Sequence, residues 1–456
     1  MSGQSSLRLG TKLGFGVGDL GGNLFFTIMG FYLLFFLTNV VGMQAALAGT
    51  ALMIGKIWDA LTDPAVGYIS DRTKTRWGRR RPYMLVGGVL LLLFMVVMFT
   101  DPGLGSSAAL FLYMVVAYCV LNTAYTLVNI PYGALTPELT EDFDERTALN
   151  GYRMTFAVVG TFIGASLVIP LTNLAPSPET GWTLMGAVMG AIMLAATLIT
   201  IFTVREAQQF LPQQRVNPFK EYFGVLKLRT FVTALVPWAL HITGVNIIQG
   251  ALLFYFQYIY GNEAAFQIAL PILLGTTMLC IPVWVQLSRR LGKKLSYNIG
   301  MGIVAAASLV LFLVGHLYGV TFAYVVMFFA GIGLSTNYVM PFSIVPDVVE
   351  YDFAERGVRR EGVFYGMWTF VSKIGQSIAV GLNGLILTLF GYVEPTDATA
   401  NPEQGELAQL GIRLLVGPIP ALFFIAGIIV LLFYPITRRK YEEILQRAHQ
   451  RSTEEE

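Results

Sequence analysis

Charge is what this sequence has least of. Lys, Arg, Asp and Glu make up 13% of it and hydrophobic residues 55%, where an ordinary soluble domain carries about 25% charged residues. A water-soluble globule is thereby excluded. Cysteine is nearly absent: Cys119 and Cys280 are the two, and each falls in the middle of an apolar run, which excludes a disulfide framework. The three histidines, His241, His316 and His449, lie far apart and lack metal-ligand spacing, so no zinc-type site is expected. No H-E-x-x-H and no nucleophile–histidine pairing stands in the chain, and no soluble domain is appended, so a membrane-embedded enzyme or a sensor is the weakest class. A net charge of +2 gives no reason to expect nucleic acid as a partner. The N-terminal "MSGQSSLRLGTKLG" has neither the compact apolar core nor the cleavage site of a removable signal, and the closing "STEEE" reads as solvated tail.

What is present is a succession of long apolar runs, each able to cross about 30 Å of hydrocarbon as a helix. Twelve are read, at roughly 14–40, 44–70, 83–101, 107–132, 152–172, 182–203, 230–260, 265–288, 296–316, 320–345, 364–391 and 411–436. Helices are expected, not barrel strands, because the runs do not alternate in polarity. Basic residues gather in every second loop: Arg8 and Lys12, Arg72 to Arg81, Arg205 to Arg229, Arg289 to Lys294, and "TRRK" at 437–440. The positive-inside rule then places both termini in the cytoplasm of a multi-pass protein.

The chain also repeats itself. "RWGRRRPY" (76–83) returns as "RLGKKLSY" (290–297), at an offset of 214. "IPYGALTPELTEDFDERTALNGYRM" (130–154) matches "MPFSIVPDVVEYDFAERGVRREGVFYGM" (340–367), with Pro131 and Pro341 offset by 210. Two matches at nearly equal offsets imply an all-α membrane protein of twelve helices in two six-helix pseudo-repeats of like orientation. The expected division is 1–203 for the first bundle, 204–229 for a cytoplasmic linker, 230–436 for the second bundle and 437–456 for a cytoplasmic tail.

Within the apolar runs, polar residues fall in stripes. An ionisable group at the bilayer centre costs about 2.5–3.5 kcal/mol on insertion scales, so such groups should face the bundle interior or water. Lys56, Asp59 and Asp63 share one helical face, and Thr62 beside Asp59 adds a hydroxyl. The two carboxylates and the hydroxyl offer hard oxygen ligands to a small cation, and Lys56 can hold a carboxylate charged while no cation is present. Asn122, Tyr125, Thr126 and Asn129 form a stripe on the fourth span; Tyr365, Trp368, Thr369, Ser372, Lys373 and Gln376 form one on the eleventh. Asp19 and Asn23 stand four apart on the first span, and Arg153 begins the fifth. Hydroxyls, amides and an acid suit a polyhydroxylated ligand, with Tyr125 and Trp368 stacking on its apolar face. The plainer alternative is that charges pair across the bundle merely to hold helices together, for example Asp19 with Lys373. At the basic end, Asp71, Arg72 and the acids of 138–146, Glu138 among them, suit an inner latch; "DFDER" and "DFAER", with Asp347 just before the latter, suit gating ion pairs between the half-bundles.

"KIWDALTDPAVGYISDRTKTRWGRRRPY", "YTLVNIPYGALTPELT", "PDVVEYDF" and "WTFVSK" together resemble the glycoside–pentoside–hexuronide:cation symporter family of the major facilitator superfamily, the melibiose-permease group. The resemblance spans essentially the whole chain. It implies Na⁺- or H⁺-coupled symport of a sugar or glycoside by alternating access, with no cofactor beyond the coupling ion, by a monomer in a bacterial-type inner membrane. It implies that Asp59, Asp63, Thr62 and Thr126 form the cation site, and that Asp19, Tyr125, Arg153, Thr369 and Lys373 contact the sugar or sit beside it. Asn129 stands where the melibiose permease has an acid, Gly133 where it has a tryptophan, Gly18 where it has a lysine and Trp368 where it has a glutamine. These departures turn the expectation from galactosides toward another pentoside, glucoside, uronide or modified sugar. "YRMTFAVVGT" and "IPYGAL" are similar also to lysolipid symporters of the same superfamily, the rival reading.

Overall fold

The computed structural model describes residues 7–73, 75–139, 143–204, 224–356, 360–395 and 402–436, with 440 and 443. In a bilayer every backbone N–H and C=O must be satisfied within the protein, and the described residues fold as helices. In chain order these are α1 (Leu9–Phe31), α2 (Leu33–Asn39), α3 (Ala45–Arg72), α4 (Arg81–Met98), α5 (Ser107–Leu139), α6 (Phe143–Thr172) and α7 (Pro178–Thr203). After the linker come α8 (Arg229–Tyr258), α9 (Glu263–Leu291), α10 (Lys293–Val310), α11 (Val320–Leu334), α12 (Thr336–Arg356), α13 (Glu361–Leu389), α14 (Glu406–Val416) and α15 (Pro418–Leu432).

Among the described residues ten spans are long and apolar enough to cross a membrane on their own, and α1 with α2, bent by 42°, makes an eleventh. Alone among the long described helices, α3 falls outside that set, and it is the one that carries Lys56, Asp59 and Asp63. Its charges depress its hydropathy without shortening it. The segments 130–154 and 340–367, read from hydropathy as connections, are largely helical: α5 continues to Leu139, α6 starts at Phe143 and α12 runs to Arg356. Hydropathy registers the thickness of the hydrocarbon, and these helices extend beyond it into the polar end of the bundle.

The repeated R-x-G-[KR]-[KR] motif has a backbone cause. Gly78 and Gly292 both adopt positive φ, 104° and 84°, which glycine reaches without the Cβ clash. In the second half the turn reverses the chain directly between α9 and α10, with Arg289 and Arg290 in the last turn of α9, where cations interact favourably with the carbonyl end. The shared tyrosines find different partners: Tyr83 meets Thr73 Oγ1 at 2.5 Å and Tyr297 meets His241 Nδ1 at 2.8 Å.

Helices α1 and α4–α7 pack chiefly on one another, as do α8–α15, whereas α3 divides its packing between α5 and α13; the two sets meet mainly through α3 on α13, α6 on α9 and α1 on α8. The polar contacts joining them concentrate at the end remote from the basic loops. There Asn39 Nδ2 donates to Tyr258 Oη at 2.5 Å and Tyr392 Oη donates to Asn39 Oδ1 at 2.7 Å. Glu394 accepts the Ala45 N–H at 2.7 Å, and Thr388 accepts that of Ala46 at 2.8 Å. Phe35 and Phe254 stack edge-on beside them. That end is closed.

Close approach of α3 and α13 requires glycine. A Cβ on Gly384 would lie 2.2 Å from the Ala45 carbonyl oxygen and 2.9 Å from Gly49 Cα. Backbone atoms cannot yield as a side-chain tip can, so Gly384→Val forces the closed end apart. A cysteine placed at Leu34, 4% exposed in the present structure, should react with an impermeant maleimide in Gly384→Val and stay protected in the Gly384 parent. Equal protection in both would show that the helices do not separate.

Candidate functional site: a carboxylate cage between the two helix sets

The ion pairs of interest sit where α3 meets α13. Asp59 is buried on α3, and Asp63 follows one turn later. From α13, Lys373 Nζ reaches Asp59 Oδ2 at 2.8 Å and Asp63 Oδ2 at 2.5 Å. From α5, Thr126 Oγ1 lies 3.1 Å from Asp59 Oδ1 and 3.0 Å from Asp63 Oδ1. A hydroxyl carries one hydrogen. It cannot serve two carboxylates in full, so the cage is short of donors; its two carboxylates and one ammonium sum to a formal charge of −1, with Lys56 on the same face of α3 as a second cation acting on both carboxylates.

Thr62 is placed otherwise than expected. It donates to the Asp59 carbonyl of its own helix at 3.2 Å, so the hydroxyl bridging the carboxylates is that of Thr126. Lys373, across the junction, is the direct ion-pair partner of both carboxylates, while Lys56 acts on them at longer range and its Nζ stands 5.5 Å from the centroid of the Phe26 ring. The simple pairing of Asp19 with Lys373 does not occur.

Asp19 belongs to a second cluster. Its Oδ2 accepts from Arg153 Nε at 2.5 Å and from Tyr132 Oη at 3.0 Å, and its Oδ1 accepts from Arg153 Nη2 at 3.3 Å. The guanidinium lies 5.1 Å from the Tyr132 ring centroid. Asn23 turns its amide to the Asp19 carbonyl at 2.9 Å. Gly18 is required here, because a Cβ would come within 2.4 Å of Tyr132. A lysine at that position is sterically excluded by this packing.

Between the two clusters runs an aromatic wall. Tyr125 is stacked on Phe25 at 4.4 Å, and Phe26 meets it edge-on at 5.2 Å. Tyr125 is buried, whereas Phe26 is 43% exposed. Trp368 is 2% exposed and stacked on Trp238 at 5.7 Å; its ring face is already covered, so it does not offer the stacking surface expected of it. Phe26 offers that open face instead. Thr369 is exposed one turn before Lys373, and Asn129 is half-buried.

At the basic end, Lys293 pairs with Asp347 at 2.7 Å and also donates to the Ser343 carbonyl. Asp352 is held by Arg360 at 2.7 Å and Arg356 at 3.1 Å, and Lys12 pairs with Glu145 at 2.9 Å. Each of these pairs lies within one helix set, not between the two. Their geometry is that of braces inside a bundle. Arg72 lies over the Tyr68 ring at 3.4 Å. The side chains of Asp71 and Glu138 lie outside the described residues.

A family model described as MFS/sugar transport protein matches residues 14–438. The chain belongs to this family. An uncharacterized symporter of Synechocystis sp. is 31% identical over 98% of this chain and 97% of its own length. The glucuronide carrier protein homolog of Escherichia coli is 29% identical, covering 95% and 94%. The sodium-dependent lysophosphatidylcholine symporter 1-A of Danio rerio is 26% identical, covering 99% and 90%. Among solved structures, a variant of the nucleoside transporter NupG superposes with a TM-score of 0.68 over 93% of this chain and 98% of its own, at 12% identity, a likeness of fold. The chain is thus a multi-pass symporter of the MFS/sugar transport family in a cell membrane, and not an enzyme.

Sequence reading did not single out Tyr132, which hydrogen-bonds Asp19, or Phe26, whose ring stands beside Lys56. Tyr132 stands in the quoted "IPYGAL", yet only the fold carries its hydroxyl to Asp19. Phe26 had no signal, since an aromatic in an apolar run reads as core.

The Asp19 cluster carries a direct prediction. A hydrogen bond to a charged group contributes about 1.5–3 kcal/mol, so Arg153→Ala should weaken substrate binding at least tenfold even at saturating cation, and Arg153→Lys should recover only part. Equilibrium binding to purified protein measures this; unchanged affinity would remove Arg153 and Asp19 from the site.

Proposed function

We propose that this protein co-transports a sugar or glycoside with a monovalent cation by alternating access, and that Asp59, Asp63 and Thr126 hold the cation. The observation that carries the reading is the cage itself: two carboxylates sharing one hydroxyl hydrogen, with a formal charge of −1, at the junction of the two helix sets. Two carboxylates that share one ammonium and one hydroxyl hydrogen in a low-dielectric interior are under-solvated, so a cation entering the cage lowers the free energy of the α3–α13–α5 junction. Cation and sugar then favour each other by the same factor, as linkage requires. Hard carboxylate and hydroxyl oxygens favour Na⁺, with H⁺ as the other coupling ion.

Substrate recognition is assigned to Asp19 and Arg153 as hydrogen-bonding groups, to Asn23, Asn129, Tyr125 and Thr369 as cavity lining, and to Phe26 as the stacking ring. Residues 1–203 and 230–436 act as the moving bodies, joined by 204–229. By the positive-inside rule the basic ends face the cytoplasm, so the closed end is external and the conformation inward-facing. The functional unit is a monomer.

The test is uptake of labelled glycosides, pentosides, hexuronides and a lysolipid into proteoliposomes, with and without an inward Na⁺ gradient at fixed pH. Gradient-dependent accumulation of a sugar is expected; accumulation of the lysolipid alone would overturn the assignment.

A further inference from the structure

The substrate contacts assigned above come from the first helix set, with Thr369 alone from the second. A moving body responds to its cargo only through the contacts it makes with it. On α8, Ile242, Asn246, Gln249 and Leu253 follow at i, i+4, i+7 and i+11 and so share one face. That face is turned to α1: a Cβ on Gly30 would lie 3.1 Å from Gln249 Oε1. Leu253 is fully buried under the closed end, whereas Gln249, Asn246 and Ile242, successively nearer the basic end, are half-buried. The helix sets part along this face just inside the closure, and two amides line the gap.

Neither amide holds helices together. Asn246 Nδ2 donates to the Ile242 carbonyl of its own helix at 2.8 Å, which leaves its Oδ1 and a second N–H open. Gln249 makes no hydrogen bond among the described residues, and the small apolar pocket that it also borders, against α9–α11, gives it none. Asn383 shows what a brace looks like: its Nδ2 donates across to the Ile247 carbonyl of α8 at 3.1 Å. The chain repeat points to the same gap. "FFTIMGFYLLFF" (25–36) returns as "VNIIQGALLFYF" (245–256), sharing I-x-G-x-x-L-x-x-F at an offset of 220. Asn246 thus stands where the first half has Phe26, and halves related by an axis along the membrane normal present equivalent positions to one central cavity. Phe26 offers it a ring 43% exposed; Asn246 offers an amide.

We propose that Asn246 and Gln249 are the second helix set's contacts to the sugar, taking two adjacent ring hydroxyls while Phe26 covers the apolar face. The inference rests on the sugar-symport reading above and deepens it. Each amide has an acceptor oxygen and an N–H to give, and each hydroxyl both donates and accepts, so an amide matches a pair of neighbouring hydroxyls. A sugar held there ties α8 to α1 one turn inside the closed end.

Equilibrium binding to the purified full chain at saturating cation tests this, with methyl glucoside, methyl xyloside and methyl glucuronide as probes, then the 2-, 3- and 4-deoxy analogues of the one bound best. In the wild type, loss of either of two adjacent hydroxyls should weaken binding at least tenfold, about 1.4 kcal/mol. Gln249→Met and Asn246→Leu, which keep side-chain volume, should each weaken the parent sugar at least tenfold and bind it no better than the sensitive deoxy analogue. Cation affinity without sugar and the unfolding temperature should stay at wild-type values, because neither amide braces a helix. Unchanged sugar affinity in both variants would overturn the proposal, as would a deoxy discrimination that persists in both. A loss of affinity accompanied in both by a lowered unfolding temperature would make the amides structural and overturn it too. Asn246→Cys gives an independent reading: against the parent with its Cys119 and Cys280, saturating sugar should slow maleimide labelling at least tenfold, and equal rates would count against the contact. A wild type that binds none of the probes and shows no cation-driven uptake of any sugar would remove the symport reading and this inference together. Normal wild-type uptake with indifferent variants would remove this inference alone.

Discussion

Asp59→Asn should abolish cation-driven accumulation, by at least a hundredfold, while the protein still reaches the membrane. The substitution keeps the shape of the side chain and removes its charge. Asp59 accepts from Lys373 and from Thr126, so the neutral amide leaves Asp63 alone with Lys373 and the cage goes from −1 to zero. A monovalent cation then has no net charge to meet. A hundredfold loss corresponds to about 2.7 kcal/mol, modest beside the ~4 kcal/mol that one unit-charge contact at 4 Å represents at an effective dielectric of 20. Sugar binding should persist and lose its response to the cation, because linkage has been cut at one end. Asp63→Asn should behave alike. Accumulation at the wild-type level in either variant, measured by labelled uptake in proteoliposomes, would show that the cage is not the coupling site.

Lys373→Met should act in the opposite sense on cation affinity. The cage goes from −1 to −2, since the ammonium bonded to Asp63 at 2.5 Å and to Asp59 at 2.8 Å is gone. Cation binding should tighten at least tenfold, because the tethered ammonium no longer competes for the same oxygens. One cation now leaves the site charged, and the α3–α13 ion pair that joins the two helix sets is lost. Accumulation should therefore fall to background despite the tighter cation. Weakened cation binding would instead mean that Lys373 props the carboxylates in place and does not compete with the ion.

How far the sequence carries toward this site differs from residue to residue. The helical architecture was legible because apolar run lengths and the alternation of basic loops are imposed by the bilayer itself. The repeat was legible because both basic connections need a glycine of positive φ, Gly78 in one half and Gly292 in the other. On α3 the i, i+3, i+7 spacing placed Lys56, Asp59 and Asp63 on one face, and the structure brings both carboxylates to one ammonium. What spacing does not contain is the partner across the junction. Lys373 is 310 residues from Asp63, and its choice of Asp59 and Asp63 over Asp19 follows from how α3 crosses α13, a crossing set by Gly49 and Gly384. For the same reason a single-helix view gave the shared hydroxyl to Thr62, the nearest in sequence, where packing supplies Thr126 from α5. Trp368 was misread because an aromatic on a polar stripe can face either a ligand or a neighbouring helix, and only Trp238 in three dimensions decides it. The inner-end charges likewise read as links between halves, while the folded chain pairs Asp347 with Lys293 and Asp352 with Arg360 inside one half.

The central claim is that sugar and cation are coupled through the cage, and the most direct test drives the coupling backwards. With no ion gradient imposed, an inward gradient of the sugar that the panel identifies is applied to proteoliposomes, and Na⁺ and H⁺ fluxes are recorded in the same vesicles. The account predicts cation entry in fixed ratio to sugar in the wild type, and none in Asp59→Asn. Sugar entry with no cation flux in the wild type would contradict it.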